Sequence, residues 1–142
     1  MLGFALVIVT NQSGIGRGFY SDQQFHLLMS KLTEQLASHG LVVHYFYCPH
    51  APSTKGQALC SCRKPLPGLF YQAQEQLQLD LNRSLMVGDK LSDLQAAAAA
   101  GVPVRYLFCS EPAMAASAEL ITEQFNGLNA ITYQTISGHF KN

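Results

Sequence analysis

Cys48, His50, Cys60 and Cys62 form two close pairs, Cys-Pro-His and Cys-Ser-Cys, joined by a nine-residue arm. Thiolates and imidazole are the donors that a tetrahedral zinc prefers, and two pairs on a flexible arm let one ion close a loop. The spacing predicts a structural zinc site spanning residues 48–62. The second pair runs straight into Arg63-Lys64-Pro65. Alone, that basic pair reads equally as solvated charge or as an anion contact.

Two more polar clusters follow apolar runs. Thr10-Asn11-Gln12-Ser13 comes after Phe4–Val9, and Gly88-Asp89-Lys90, with Asp93 further on, comes after Ser84–Val87. Thr and Asn after a strand are ordinarily turn chemistry, because both bond their own backbone there. Gly-Asp ahead of a helix is often an N-cap, with Asp93 as a first-turn acid that the helix dipole favours. Together the clusters offer a hydroxyl, an amide, a lysine and an acid, which is the set that phosphoryl transfer uses. Thr10 and Asn11 can hydrogen-bond phosphoryl oxygens, Lys64 can neutralise transition-state charge, and Asp89 can hold Mg²⁺ through hard oxygen.

The elements that must position these residues are legible as an alternation. Phe4–Val9 reads as a strand covered on both faces. A glycine-bearing loop, Thr10–Tyr20, follows, and its three glycines permit tight turns and close backbone approach. Ser21 and Gln24 form a capping box for a helix carrying Phe25, Leu28, Leu32 and Leu36 and stopped by Gly40. Leu41–Tyr47 is a strand; a helix opens at Pro67-Gly68 and runs through Leu69, Ala73 and Leu77. Ser84–Val87 is a strand, Leu91–Ala100 an alanine-rich helix, and Pro103–Phe108 a further strand. Glu119–Thr122 is expected as a short edge strand, and Asn126–Ile136 as a terminal helix with Leu128 and Ile131 inward. Such alternation implies parallel strands with right-handed crossovers, an open α/β sheet whose chemistry lies beyond the strands' carboxyl ends.

Composition narrows the class. With 142 residues, 48% hydrophobic and 13% charged, the chain is expected to be one globular domain rather than disordered. Net charge is zero and no Lys/Arg run occurs, so the footprint of a nucleic-acid binder is missing. No apolar stretch is long enough for a bilayer span and no leader pattern precedes Phe4, so a cytoplasmic location without membrane contact is expected. In a reducing compartment three cysteines beside His50 favour metal over disulfides. Cys109, in an apolar context, reads as a core thiol.

The segments Val-Ile-Val-Thr-Asn-Gln-Ser-Gly-Ile-Gly-Arg-Gly, Cys-Pro-His with Cys-Ser-Cys-Arg-Lys-Pro-Leu-Pro-Gly, and Met-Val-Gly-Asp-Lys-Leu-Ser-Asp-Leu-Gln-Ala-Ala resemble the D-glycero-D-manno-heptose 1,7-bisphosphate phosphatases. These form part of the histidinol-phosphatase branch of the haloacid dehalogenase-like superfamily. The resemblance runs from the first residues to about Phe108. It implies a Rossmann-like open parallel sheet with a zinc-binding loop insertion, and a Mg²⁺-dependent hydrolysis of a sugar bisphosphate to heptose 1-phosphate for lipopolysaccharide core synthesis. It also implies roles: Thr10 stabilises the phosphoryl group, Asn11, Gln12 and Ser13 complete a substrate loop, and Lys64 is the phosphate lysine with Arg63 its substrate-recognising neighbour. Asp89 would be a Mg²⁺ ligand, Lys90 a substrate contact and Asp93 an orienting acid.

One departure bears on catalysis. Members of that family begin with a strand ending in Asp-x-Asp-Gly-Thr, whose first Asp attacks phosphorus and whose second protonates the leaving oxygen. No Asp-x-Asp occurs in this sequence, so the chain by itself lacks nucleophile and general acid. That strand would lie between the strands ending at Thr10 and before Asp89, and without it two strand edges lose a partner. Residues 1–142 are therefore expected to be a partial domain lacking the central nucleophile strand, inactive alone, with the strand supplied by an N-terminal segment or a second chain. Two further readings remain open at this point: a histidinol-phosphate phosphatase, or a non-catalytic, zinc-stiffened module that binds phosphates or a partner.

Overall fold

The computed structural model describes residues 3–53, 60–108 and 115–140; Cys109 lies outside them. The chain divides into two compact units, Met1–Arg63 and Lys64–Asn142.

In the first unit β1 (Leu6–Asn11) pairs in parallel with β2 (Val43–Cys48), in a register that runs from Leu6 opposite Val43 to Asn11 opposite Cys48. Thr10 and Asn11 thus belong to the strand rather than to the loop after it, because the ladder continues as far as Cys48. Leu6 is 42% exposed and the rest of β1 is half-buried, so the strand is not covered on both faces as its apolar run predicts. A single helical turn, α1 (Ser13–Gly16), occupies part of the expected glycine loop.

Helix α2 (Asp22–Ala37) starts at the expected capping box. Gln24 N–H donates to Ser21 Oγ at 3.1 Å and Ser21 N–H donates to Gln24 Oε1 at 2.8 Å. Its buried residues are Phe25 and Met29, one turn apart, while Leu28 and Leu32 are exposed. The reason lies on β2, where period-two alternation puts Tyr45 and Tyr47 on one face. The Phe25 ring meets Tyr47 at 4.6 Å between centroids and Tyr45 edge-on at 6.0 Å. Polar contacts fasten the same face. His26 Nδ1 is 2.8 Å from Tyr45 Oη, and Tyr47 donates to Asp22 Oδ1 at 2.7 Å. Burial, then that carboxylate, push the Tyr47 phenol up to about 12.

The second unit holds α3 (Gly68–Leu77), β3 (Leu85–Gly88), α4 (Leu91–Ala99), β4 (Val104–Phe108), β5 (Glu123–Phe125) and α5 (Tyr133–His139). β3, β4 and β5 form a parallel sheet in that order. Leu69, Leu94 and Tyr106 are fully buried; each apolar side chain of this size contributes about 1.5–3 kcal/mol. Val104, Tyr106 and Phe125 make the core cluster, against which Ile131, Ile136 and Phe140 pack. Two expectations for the tail are corrected. The strand is Glu123–Phe125 and follows a 3₁₀ segment over Ala115–Leu120, because Thr122 N–H donates to Arg105 O and brings the next residues alongside β4. The last helix starts only after Thr132, whose hydroxyl caps it, so Leu128 is exposed while Ile131 packs inward.

β1 has β2 and β3 has β4 as strand neighbour, and among the described residues neither has a second. No helix among them is long and apolar enough to cross a membrane.

Candidate functional site

The four expected zinc ligands converge. Cys48 closes β2, His50 follows two residues later, and Cys60 and Cys62 join them; all four donor atoms lie within 4.8 Å of one another. Cys48 Sγ is 3.4 Å from His50 Nδ1 and 3.6 Å from Cys60 Sγ, and Cys62 Sγ is 3.4 Å from His50 Nδ1. A tetrahedral zinc with bonds of about 2.3 Å to sulfur and about 2.0–2.1 Å to nitrogen has edges of roughly 3.5–3.8 Å. Donor set and spacing fit the ion. Burial pushes the Cys48 thiol up and, with the neighbouring thiols, takes Cys62 to about 12. At Cys60 burial is outweighed by the backbone N–H groups and thiols around it, and the thiol is held below its usual value. A divalent cation reverses such resistance, since it binds thiolate.

The knuckle is tied to the loop that carries the second cluster. Gln12 N–H donates to Cys48 O at 2.8 Å and Gly16 N–H to Pro49 O at 2.9 Å. A Cβ on Gly16 would lie 2.6 Å from Ala51 N and 2.7 Å from Pro49 O, both backbone atoms, so only glycine lets the chains come this close. Thr10, Asn11 and Ser13 stand at the carboxyl end of β1 and the start of α1. The Gln12 amide Nε2 donates to Thr10 Oγ1 at 3.0 Å, and Tyr20 Oη donates to Gln12 Oε1 at 2.5 Å. Arg63, half-buried, sends Nη1 to His50 O at 3.3 Å and so rests on the knuckle itself.

In the second unit Lys64 and Asp93 are buried, and Lys64 Nζ is 2.6 Å from Asp93 Oδ1. The other carboxylate oxygen, Oδ2, accepts from Lys90 N–H at 3.2 Å. Lys90, not Asp89, is therefore the N-cap position of α4. Gly88 makes room for Asp93: a Cβ there would sit 2.5 Å from Asp93 Cβ. Asp89 and the Lys90 side chain are exposed beyond the carboxyl end of β3. Asp89 offers a hard oxygen of the kind Mg²⁺ takes.

Sequence reasoning missed Tyr20, whose contact with Gln12 depends on the path of α1 and has no local signature. The glycine spacing Gly14-x-Gly16-x-Gly18 did announce close approach, without saying to what.

Comparison with known proteins adds the following. A family model described as HAD-hydrolase-like matches residues 61–105. A D-glycero-beta-D-manno-heptose-1,7-bisphosphate 7-phosphatase from Yersinia pestis is 46% identical over 110 residues, covering 75% of this chain and 58% of that protein. One of the same description from Haemophilus ducreyi is 46% identical over 121 residues, 82% of this chain and 66% of that protein. Among solved structures, the D,D-heptose 1,7-bisphosphate phosphatase of B. bronchiseptica, complexed with magnesium and phosphate, superimposes with a TM-score of 0.65 at 40% identity, over 73% of this chain and 56% of that one. The chain spans 58–66% of the length of these curated relatives.

Proposed function

Since the chain belongs to the HAD-like hydrolases, we propose that it carries most of the phosphate-handling residues of a Mg²⁺-dependent phosphatase. The substrate of this reading is a sugar bisphosphate, D-glycero-D-manno-heptose 1,7-bisphosphate, cleaved at position 7 in the cytoplasm. The observation that carries it is the 46% identity with a 7-phosphatase of that description across three quarters of the chain. The paired Lys64 and Asp93 and the Thr10–Ser13 loop agree with it.

In this reading Thr10 and Asn11 donate to phosphoryl oxygens, Gln12 and Ser13 complete the loop, and Arg63 and Lys90 recognise the substrate. Lys64 offsets charge that grows in the transition state, and Asp93 holds its ammonium in place. Asp89 holds Mg²⁺, which supplies Lewis-acid stabilisation when bound. Cys48, His50, Cys60 and Cys62 hold zinc as a brace for the loop. The 142 residues contain no Asp-x-Asp pair, and the reading takes the nucleophile and general acid from polypeptide outside them, in the same protein or in a second chain.

The test is an assay of the intact protein with the heptose bisphosphate and Mg²⁺, following the C7 and C1 phosphates by ³¹P NMR. Release of the C7 phosphate with the C1 phosphate retained is expected. Equal turnover of histidinol phosphate, or none with either, would overturn the substrate assignment.

A further inference from the structure

Thr10 can serve a phosphoryl oxygen only if it has a proton to give, and two hydrogen bonds decide whether it does. A hydroxyl carries one donor and two acceptor sites, and a carboxamide one face of each kind. The Gln12 side chain bridges Thr10 and Tyr20, so its orientation sets the direction of the whole chain of bonds.

The distances identify that direction. Tyr20 Oη to Gln12 Oε1 is 2.5 Å, and Gln12 Nε2 to Thr10 Oγ1 is 3.0 Å. Bonds from O–H to oxygen run about 2.5–3.0 Å, and bonds from N–H to oxygen about 2.7–3.2 Å. The short contact therefore belongs to the phenol donating to the amide oxygen, and the longer one to the amide nitrogen donating to threonine. With Gln12 so turned, Thr10 Oγ1 is an acceptor toward the amide and its own proton points elsewhere.

Tyr20 is itself fixed. Phe19 N–H donates to Gly14 O at 2.8 Å, which folds the chain back over α1. A Cβ on Gly14 would lie 2.7 Å from Tyr20 Cζ and 2.9 Å from its hydroxyl oxygen, so the ring occupies the space that a side chain would take. Gly14 is the one buried residue of α1.

We propose that Tyr20 is a positioning residue that, through Gln12, commits the Thr10 hydroxyl to donating, so that this loop takes an anion whose oxygens only accept. This rests on the reading that Thr10 meets a phosphoryl oxygen. Without the phenol proton the Gln12 amide is free to turn over, and Thr10 then spends its proton on Gln12 Oε1 instead of on the ligand.

The experiment measures the affinity of the intact protein for inorganic phosphate in Mg²⁺ by calorimetry, for wild type, Tyr20→Phe, Thr10→Val and the double variant. Tyr20→Phe keeps the ring against Gly14 and loses only the hydroxyl. It is expected to weaken phosphate roughly threefold to tenfold, the range for one net hydrogen bond. Thr10→Val should weaken it at least as much, and adding Tyr20→Phe to Thr10→Val should change nothing more. The Gln12 side-chain amide protons should shift in ¹⁵N-edited spectra of Tyr20→Phe. Gln12→Glu, which removes the donor to Thr10 but keeps an acceptor for Tyr20, is a second route and should also weaken phosphate at least threefold. Loss of affinity in Thr10→Val with none in Tyr20→Phe overturns the relay and leaves the phosphate reading intact. Unchanged affinity in Thr10→Val overturns that reading and the relay with it, and additive effects in the double variant show Tyr20 acting through packing alone.

Discussion

Lys64 Nζ and Asp93 Oδ1 stand 2.6 Å apart with each side chain 8% exposed, and the same carboxylate reaches back to the backbone N–H of Lys90, the N-cap of α4. One acid therefore sets both the start of a helix and the place of a buried ammonium.

Asp93→Asn removes the negative charge and keeps the shape. Breaking one side of a buried ion pair costs about 3–5 kcal/mol, and the lower end is expected here because the amide still accepts from Lys90 N–H. Urea denaturation measures it; a midpoint equal to wild type contradicts the role given to the pair. Lys64→Met with Asp93→Leu should recover much of the loss, since apolar replacement of both partners removes the desolvation cost of two ions.

The knuckle predicts about one zinc per chain. Cys62→Ser should lower the metal content well below that in elemental analysis. Chelation should make Cys48, Cys60 and Cys62 together reactive to alkylation, as read by peptide mass spectrometry. A chelated protein whose three thiols stay protected would rule the site out.

Gly16→Ala drives a methyl group into Ala51 N and Pro49 O, atoms that cannot turn aside. The expected cost is roughly 1–3 kcal/mol, the range for overpacking, along with weaker zinc retention against a chelator. Zinc retention as in wild type would show that the loop and the knuckle do not depend on each other.

The Tyr106 phenol is raised above its ordinary value of 10.0, first by burial and then by the charge of Glu123. The folded state thus holds this proton more tightly than the unfolded chain does. The stability that this contributes is complete below pH 10.0 and is lost as pH rises through the higher folded value. Tyr106→Phe should flatten the alkaline end of the stability profile, measured by thermal melts across that range. A slope identical to wild type would refute it.

Much of this was readable from residue types and spacing. The Ser21–Gln24 box, the four zinc donors, the strand-helix alternation and the placement of polar clusters at strand ends all rest on local chemistry, and local chemistry is what a sequence displays. The buried face of α2 was not readable, because Leu28 and Phe25 look alike until Tyr45 and Tyr47 choose between them. Nor was the tail, where the pairing of β5 with β4 depends on Arg105 and Thr122, seventeen residues apart. The partnership of Tyr20 with Gln12 lies in the same class, made by a turn whose course the sequence only hints at. Lys64 and Asp93 were each singled out from the sequence, but their contact was not, since twenty-nine residues separate them.

The bonds from Gln12 N–H to Cys48 O and from Gly16 N–H to Pro49 O have a thermodynamic meaning. Whatever orders the knuckle also orders the loop bearing Thr10; on the proposed reading, in which the knuckle takes zinc and the loop takes phosphate, the two are linked ligands and each raises the affinity for the other by the same factor. On that reading the hold on phosphate would register zinc supply through the backbone bonds that join the knuckle to the loop.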